Sequence, residues 1–215
     1  MHKLTAGIVA VLACCATAQL ATAQLKPGQR EPPAFGLVGG LNLANMHGSD
    51  VTGNKMRATF HVGGAVTVPL GSSLFFQPNV LYSMKGPKLD VGSGVSGSLE
   101  LSYLEVPVLL GIRFPMKGSS TRPYIAAGPY VGFKTGCKVK ASSGGTSASM
   151  NCDDPSFGMT VKSTDFGVAL GGGVQFGRLA VYGRYMLGLS EPIENSNAKH
   201  DVISIGVGYF FGGRR

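Results

Sequence analysis

The chain has 215 residues, a formal net charge of +8, 33 glycines, no tryptophan and 14% charged residues. So little charge excludes a disordered chain, and the glycine content and short apolar runs argue against a helical bundle. The basic excess does not point to nucleic acid, because the lysines and arginines are scattered and no aromatic-interleaved basic motif accompanies them.

In chain order, Met1-His2-Lys3 gives a basic start and residues 4–18 an almost unbroken apolar run, with small-residue sites at Ala16-Thr17-Ala18 and Ala21-Thr22-Ala23. This layout predicts a secretory signal peptide over 1–23, cleaved after Ala23. Lipid attachment at Cys14 or Cys15 is the weaker reading, because Val11-Leu12-Ala13 is a poor context for it and the apolar run would be cut short. Residues 24–34 then read as a polar, proline-bearing periplasmic segment, 35–211 as one domain and 212–215 as a tail. After the signal no run approaches the 18 or more apolar residues of a spanning helix, so a membrane crossing would have to be made by strands.

Period-two alternation is the main signal of the domain. Ile203, Ile205, Val207, Tyr209 and Phe211 alternate with Ser204, Gly206, Gly208 and Phe210. Phe35, Leu37, Leu41 and Leu43 do so with Gly36, Gly40 and Asn42, and Phe166, Val168, Leu170, Val174 and Phe176 with Asp165, Gly167, Ala169, Gly173 and Gln175. The same rule predicts eight strands: 35–43, 60–68, 74–85, 99–114, 122–134, 164–176, 179–187 and 201–211. Their connections alternate between short (69–73, 115–121, 177–178) and long (44–59, 86–98, 135–163, 188–200). Short turns at one end and long loops at the other predict an all-β, single up-and-down antiparallel transmembrane barrel of eight strands, with the short turns periplasmic.

One face of these strands carries Asn42, His61, Gln77, Asn79, Glu105, Arg113, Asp165, Gln175 and Arg184, and the other is nearly uncharged. A soluble lipocalin-like barrel would turn the apolar face inward and a membrane barrel would turn it outward. The signal peptide, the long strands and Phe35, Phe60, Phe114, Phe176 and Phe211 near strand ends favour lipid contact and an integral outer-membrane location.

The segment Leu99-Glu100-Leu101-Ser102-Tyr103-Leu104-Glu105-Val106-Pro107-Val108-Leu109-Leu110 resembles part of the PorT-like, porin-family outer-membrane barrels of Bacteroidetes, which are OmpA/OmpX-like in size. Leu74-Phe75-Phe76-Gln77-Pro78-Asn79-Val80-Leu81-Tyr82-Ser83, Pro123-Tyr124-Ile125-Ala126-Ala127-Gly128-Pro129-Tyr130, Asp165-Phe166-Gly167 and Gly206-Val207-Gly208-Tyr209-Phe210-Phe211 extend the likeness. The resemblance implies an aromatic residue at the carboxyl end, read by the barrel-assembly machinery. Here Gly212-Gly213-Arg214-Arg215 follows Phe211, which must serve from an internal position.

An eight-stranded interior is just wide enough to be filled by side chains, so a wide channel is not expected. Glu105 is the centre of a predicted lumen charge network with Lys85, Lys134, Arg184, Arg113 and Asp165. Within it Glu105 should pair with Lys85 and Lys134, or with Arg184 reaching across. Arg113 lies about 26 Å along its own strand at about 3.3 Å per residue. Such a network reads as neutralised buried charge in a plugged lumen, more readily than as a gate. Pro107 removes a ladder hydrogen bond and predicts a local bulge.

Two cysteines remain after the signal, Cys137 and Cys152, and an oxidising periplasm predicts a disulfide between them. It would brace the otherwise flexible Ser142-Ser143-Gly144-Gly145-Thr146-Ser147 stretch. Metal binding with Asp153-Asp154 lacks a complete ligand set, and no cofactor is expected.

Lysines and arginines at both rims suit anionic headgroups, making lipopolysaccharide and phospholipid the expected surroundings. A lipid acyltransferase or deacylase would use His47, Ser49 and Asp50, or His200-Asp201 with Ser190 and Ser196. Such short polar residues in loops do not establish a base, nucleophile and orienting group, so no enzyme is expected. The remaining expectation is a structural or loop-mediated interaction protein, as an adhesin meeting a host surface or an accessory subunit meeting another envelope protein of a secretion or transport complex.

Overall fold

β-Branched, leucine and aromatic residues at every second position make strands that are apolar on one face, and glycine, alanine and serine between them let the other face close around a narrow axis. The computed structural model describes residues 31–49, 54–90, 95–114, 116, 118–143, 146–152, 161–193 and 196–212. The signal-peptide reading and residues 24–30 lie outside them. One antiparallel sheet holds β1 (Ala34–His47), β2 (Asn54–Lys55), β3 (Arg57–Pro69), β4 (Leu74–Lys85), β5 (Lys88–Asp90), β6 (Val95–Arg113), β7 (Thr121–Ser143), β8 (Thr146–Asn151), β9 (Thr164–Phe176), β10 (Leu179–Gly188) and β11 (Lys199–Gly212).

The long strands β1, β3, β4, β6, β7, β9, β10 and β11 each pair with the next, and β11 pairs back onto β1 from Ala34↔Gly212 to His47↔Lys199. The ring is closed and leaves no sheet edge around the barrel wall. This is the eight-stranded up-and-down barrel that the alternation predicts. The tightest turn, Gly177-Arg178, joins paired Phe176 and Leu179, and Gly177 has a φ of +58°, a left-handed conformation suited to glycine.

Side-chain orientation settles which stripe faces out. Leu37, Leu41, Leu170, Ile205 and Val207 are each 60% exposed or more, whereas Asn42, Asn79, Lys85, Glu105 and Asp165 are each 1% or less. An apolar exterior around a polar interior is the arrangement of a membrane barrel and the reverse of a soluble one. The belt is edged by exposed Phe35, Phe114, Phe176 and Phe211 at the turn end and by exposed Phe60, Tyr82, Phe133, Phe166 and Tyr185 toward the loop end.

The strands run further than the hydropathy pattern predicts. β7 has 23 residues and β6 has 19, against 12 in β4, and about 9–11 residues suffice to cross a bilayer. Above the belt, β6 and β7 pair on from Leu101↔Cys137 to Val95↔Ser143, with β5 and β2 added on one side and β8 on the other. The long loop read over 135–163 is therefore largely a hairpin, and Ser142, Ser143, Thr146 and Ser147, in the stretch that the disulfide is expected to brace, are strand residues. The hairpin's exposed residues include Lys138, Lys140, Ser149 and Asn151, too polar for an apolar stripe to signal the strands. The register shift lies at Ser102/Tyr103, where Ser102 pairs with Gly136 and Tyr103 with Lys134. The ladder keeps its register through Pro107, which pairs with Tyr130, so the bulge expected there does not form; Asn79 Nδ2 donates to the Pro107 carbonyl at 3.3 Å.

Inward glycines make room for the rings that fill the lumen. A Cβ on Gly111 would lie 2.2 Å from the Phe75 ring, on Gly36 2.6 Å from Phe210, and on Gly206 2.6 Å from Tyr182. With Phe75, Tyr124, Tyr182 and Phe210 packed across the interior, the mid-lumen void between Gln77, Leu109, Tyr124 and Arg184 is about 20 Å³. That is room for about one water. Near the loop end Met46, Leu99, Leu101, Tyr103, Cys137, Cys152, Val161 and Ala198 form an apolar cap, with Ile193 against it.

Candidate functional site

Three polar layers are stacked in the lumen, and the strand parity that hides them from lipid also places them. Toward the loop end, Glu105 on β6, Gly132 on β7 and Asp165 on β9 share one cross-strand row. Gly132 carries no side chain into the space between the two carboxylates. Lys85, from the upper end of β4, places Nζ 3.0 Å from Asp165 Oδ2 and also in contact with Glu105 Oε1. All three residues are buried.

The carboxylate of Asp165 is well partnered. Tyr130 donates its hydroxyl proton to Oδ2 at 3.2 Å and Ser190 Oγ donates to Oδ1 at 2.6 Å, while the same Oγ accepts from the Phe166 N–H at 3.0 Å. The Lys85 ammonium also lies 4.6 Å from the centre of the Tyr130 ring and 5.4 Å from that of Tyr103, so ring faces supply part of its solvation. Glu105 Oε2 and His200 Nδ1 are buried without a hydrogen-bond partner among the described residues. One ammonium therefore faces two carboxylates, an arrangement in which loss of the cation costs more than the pairing itself contributes.

The middle layer is a hydrogen-bonded network around Asn42. His61 Nδ1 donates to Asn42 Oδ1 at 2.7 Å, and Nε2 accepts from the Tyr182 hydroxyl at 2.7 Å. Asn42 also accepts from Ser204 Oγ at 2.8 Å and donates to Ser83 Oγ and the Met84 carbonyl, so its hydrogen-bonding capacity is used across four strands. Arg184 stacks on the Tyr182 ring at 5.4 Å.

At the turn end, Arg113 and Arg122 both donate to the carboxylate of Glu31, which precedes the barrel. Arg122 Nη1 reaches the two oxygens at 2.9 and 3.0 Å and Arg113 Nη1 reaches one at 3.3 Å. Arg113 also lies 4.8 Å over the Phe75 ring.

A profile of the family described as "Outer membrane protein beta-barrel domain" matches residues 22–194. The chain belongs to that family. No curated protein sequence matches it. Among solved structures, this outer-membrane barrel is similar to Ail, the attachment invasion locus protein of Yersinia pestis, at 16% identity and a TM-score of 0.40 over 86% of this chain and 100% of that one. It is similar to Neisserial surface protein A at 15% identity and a TM-score of 0.44, over 83% and 99% of the two chains. It is also similar to the outer membrane enzyme PagL at 13% identity and a TM-score of 0.44, over 83% and 99%.

For this outer-membrane barrel, the six residues predicted as one charge network divide into separate groups. Lys85, Glu105 and Asp165 meet. Lys134 donates to the Val161 carbonyl at 2.9 Å. Arg184 belongs to the Tyr182 layer, and Arg113 to the turn-end mouth with Glu31. Cys137 and Cys152 form a disulfide, inside the apolar cap.

Tyr103, Tyr130, Ser190 and His200 join the upper layer without having been picked for it from sequence. Tyr103 lies two residues from Glu105, and Tyr130 two from Gly132 of the carboxylate row, so strand parity signals both. Ser190 comes from a loop and carries no such signal. Of the loop residues considered for catalysis, Ser49 Oγ accepts from Asn197 Nδ2 at 3.1 Å and Ser196 Oγ from the Ala198 N–H at 3.2 Å. Buried His200 lies 3.5 Å through Nε2 from the Tyr103 hydroxyl. Asp50, Asp153 and Asp154 lie outside the described residues.

Proposed function

We propose that this outer-membrane barrel is a sealed anchor whose loop-end sheet is its working surface, a structural and recognition protein of the envelope. The observation that carries the reading is the pairing of a filled lumen with strands that outrun the membrane. Phe75, Tyr124, Tyr182 and Phe210 fill the lower interior and the Lys85 layer the upper, while β6, β7 and β8 continue above the belt as a disulfide-linked hairpin. Rigid barrels present function on their loops. A hairpin tied at Cys137–Cys152 and packed onto Leu99 and Leu101 loses little conformational entropy on binding.

The partner of that surface is an envelope protein or a host surface. The lipid-modifying reading gains no support from Ser190, whose hydroxyl donates to Asp165 Oδ1. Two measurements test the proposal together. Reconstituted in planar bilayers, the protein should give no resolvable conductance steps, and stable single-channel currents would overturn the sealed lumen. Cross-linking in whole envelopes should capture partners through the 136–151 hairpin. Retention of the same partners after deletion of residues 138–151 would overturn its role.

A further inference from the structure

The turn-end mouth is not needed to seal the barrel, because Phe75 and Tyr124 close the lumen edge to face above it, with ring centres 5.8 Å apart. It nevertheless gathers Arg113 from the end of β6, Arg122 from the start of β7 and Arg178 from the β9–β10 turn around a cavity of about 440 Å³. That volume falls within the range of small-molecule sites. Gln175, Ser120 and Thr67 line the same space, and Glu31 supplies its acid. Three guanidiniums against one carboxylate leave the mouth cationic even with Glu31 in place.

Glu31 shows what the two central guanidiniums select. Both of its oxygens are held, by Arg122 at 2.9 and 3.0 Å and by Arg113 at 3.3 Å, and paired guanidiniums around one carboxylate are among the stronger recognition geometries for that group. Yet Glu31 is not part of the strand ladder, which begins at Ala34. It is carried into the mouth by Pro32 and Pro33, whose fixed φ keeps the segment extended. A tethered side chain of this kind acts as an intramolecular competitor with an effective concentration set by its short tether.

We propose that Arg113 and Arg122 form a carboxylate receptor at the periplasmic mouth, filled in cis by Glu31 and open to a carboxylate-bearing periplasmic ligand that displaces it. Arg178 and the remaining cavity meet the rest of that ligand. This site is independent of the loop-end surface, and its test does not depend on that reading. The same chemistry has two sources in the periplasm, a free di- or tricarboxylic acid and the carboxyl end of a peptide.

The test uses the full mature chain folded in detergent micelles, with folding checked by heat-modifiable migration, and titration calorimetry with two probes. One probe is citrate; the other is a short peptide with a free carboxyl end, compared with its amide. Removing the internal competitor in Glu31→Gln should tighten binding of at least one probe by about tenfold, and Arg122→Ala in that background should abolish it. Citrate binding alone identifies a free acid, and peptide binding that is lost in the amide identifies a chain end. If Glu31→Gln binds neither probe more tightly than wild type, or if Arg122→Ala leaves the gained affinity intact, the receptor is overturned.

Discussion

Lys85 stands between Glu105 and Asp165 with no exposed surface, so its ammonium is the cation that makes two buried carboxylates tolerable. Replacing it with methionine keeps the bulk and removes the charge. Lys85→Met should cost about 3–5 kcal/mol, the range for breaking a buried pair from one side, read as a lower urea midpoint for loss of the compact, heat-modifiable form. The triple variant Lys85→Met, Glu105→Gln, Asp165→Asn should recover most of that loss, since no unpaired charge remains. An equal loss in both variants would mean that packing, not charge, sets the effect. A second residue-scale prediction concerns Gly111, where a Cβ would meet the Phe75 ring at 2.2 Å and the Ile125 carbonyl at 2.7 Å. Gly111→Ala should lower stability by about 1–3 kcal/mol through overpacking, measured by the same urea series.

At the scale of elements, the β7–β8 hairpin divides into a braced base and a tip. Cys137 and Cys152 close it beside Leu99, Leu101 and Val161, and closing a loop of about fifteen residues restricts the open chain by about 3 kcal/mol in the entropy account. The barrel wall below does not depend on this bond, because its ladder is complete from β1 to β11. Cys137→Ser with Cys152→Ser should therefore speed proteolytic nicking within 138–151 several-fold while the heat-modifiable barrel persists. Loss of the barrel itself would show that the hairpin is part of the folding unit. The register shift at Ser102/Tyr103 is the element-scale feature that strand parity alone misreads. One extra residue in β7 points Cys137 and Val139 inward, a consequence of a bulge that no single residue in the sequence announces.

For the whole molecule, orientation is the controlling fact: the apolar stripe faces lipid on all eight strands of the ring. Leu170 sits near the middle of β9 and points outward. Leu170→Arg should destabilise the folded barrel in bilayers by about 2–4 kcal/mol, the cost of a midplane charge on the lipid face, measured by urea unfolding in liposomes. A negligible effect would contradict the placement of the belt.

The sequence by itself determined the eight strands of the ring and their two faces, because both follow from the local period of two along the barrel wall. It also paired Cys137 with Cys152, since the predicted mature chain has no third cysteine. Only the tertiary structure decided which charges join the pair of Lys85 and Glu105. Glu105 and Asp165 become neighbours through the stagger of β6, β7 and β9, Lys85 reaches them along the length of its side chain, and Ser190 arrives from a loop without periodicity. The docking of Glu31 between Arg113 and Arg122 joins residues more than eighty positions apart through a segment with no strand pattern. Contacts of that kind depend on barrel closure, which brings chain ends and strand ends to one rim, and local sequence carries no record of it.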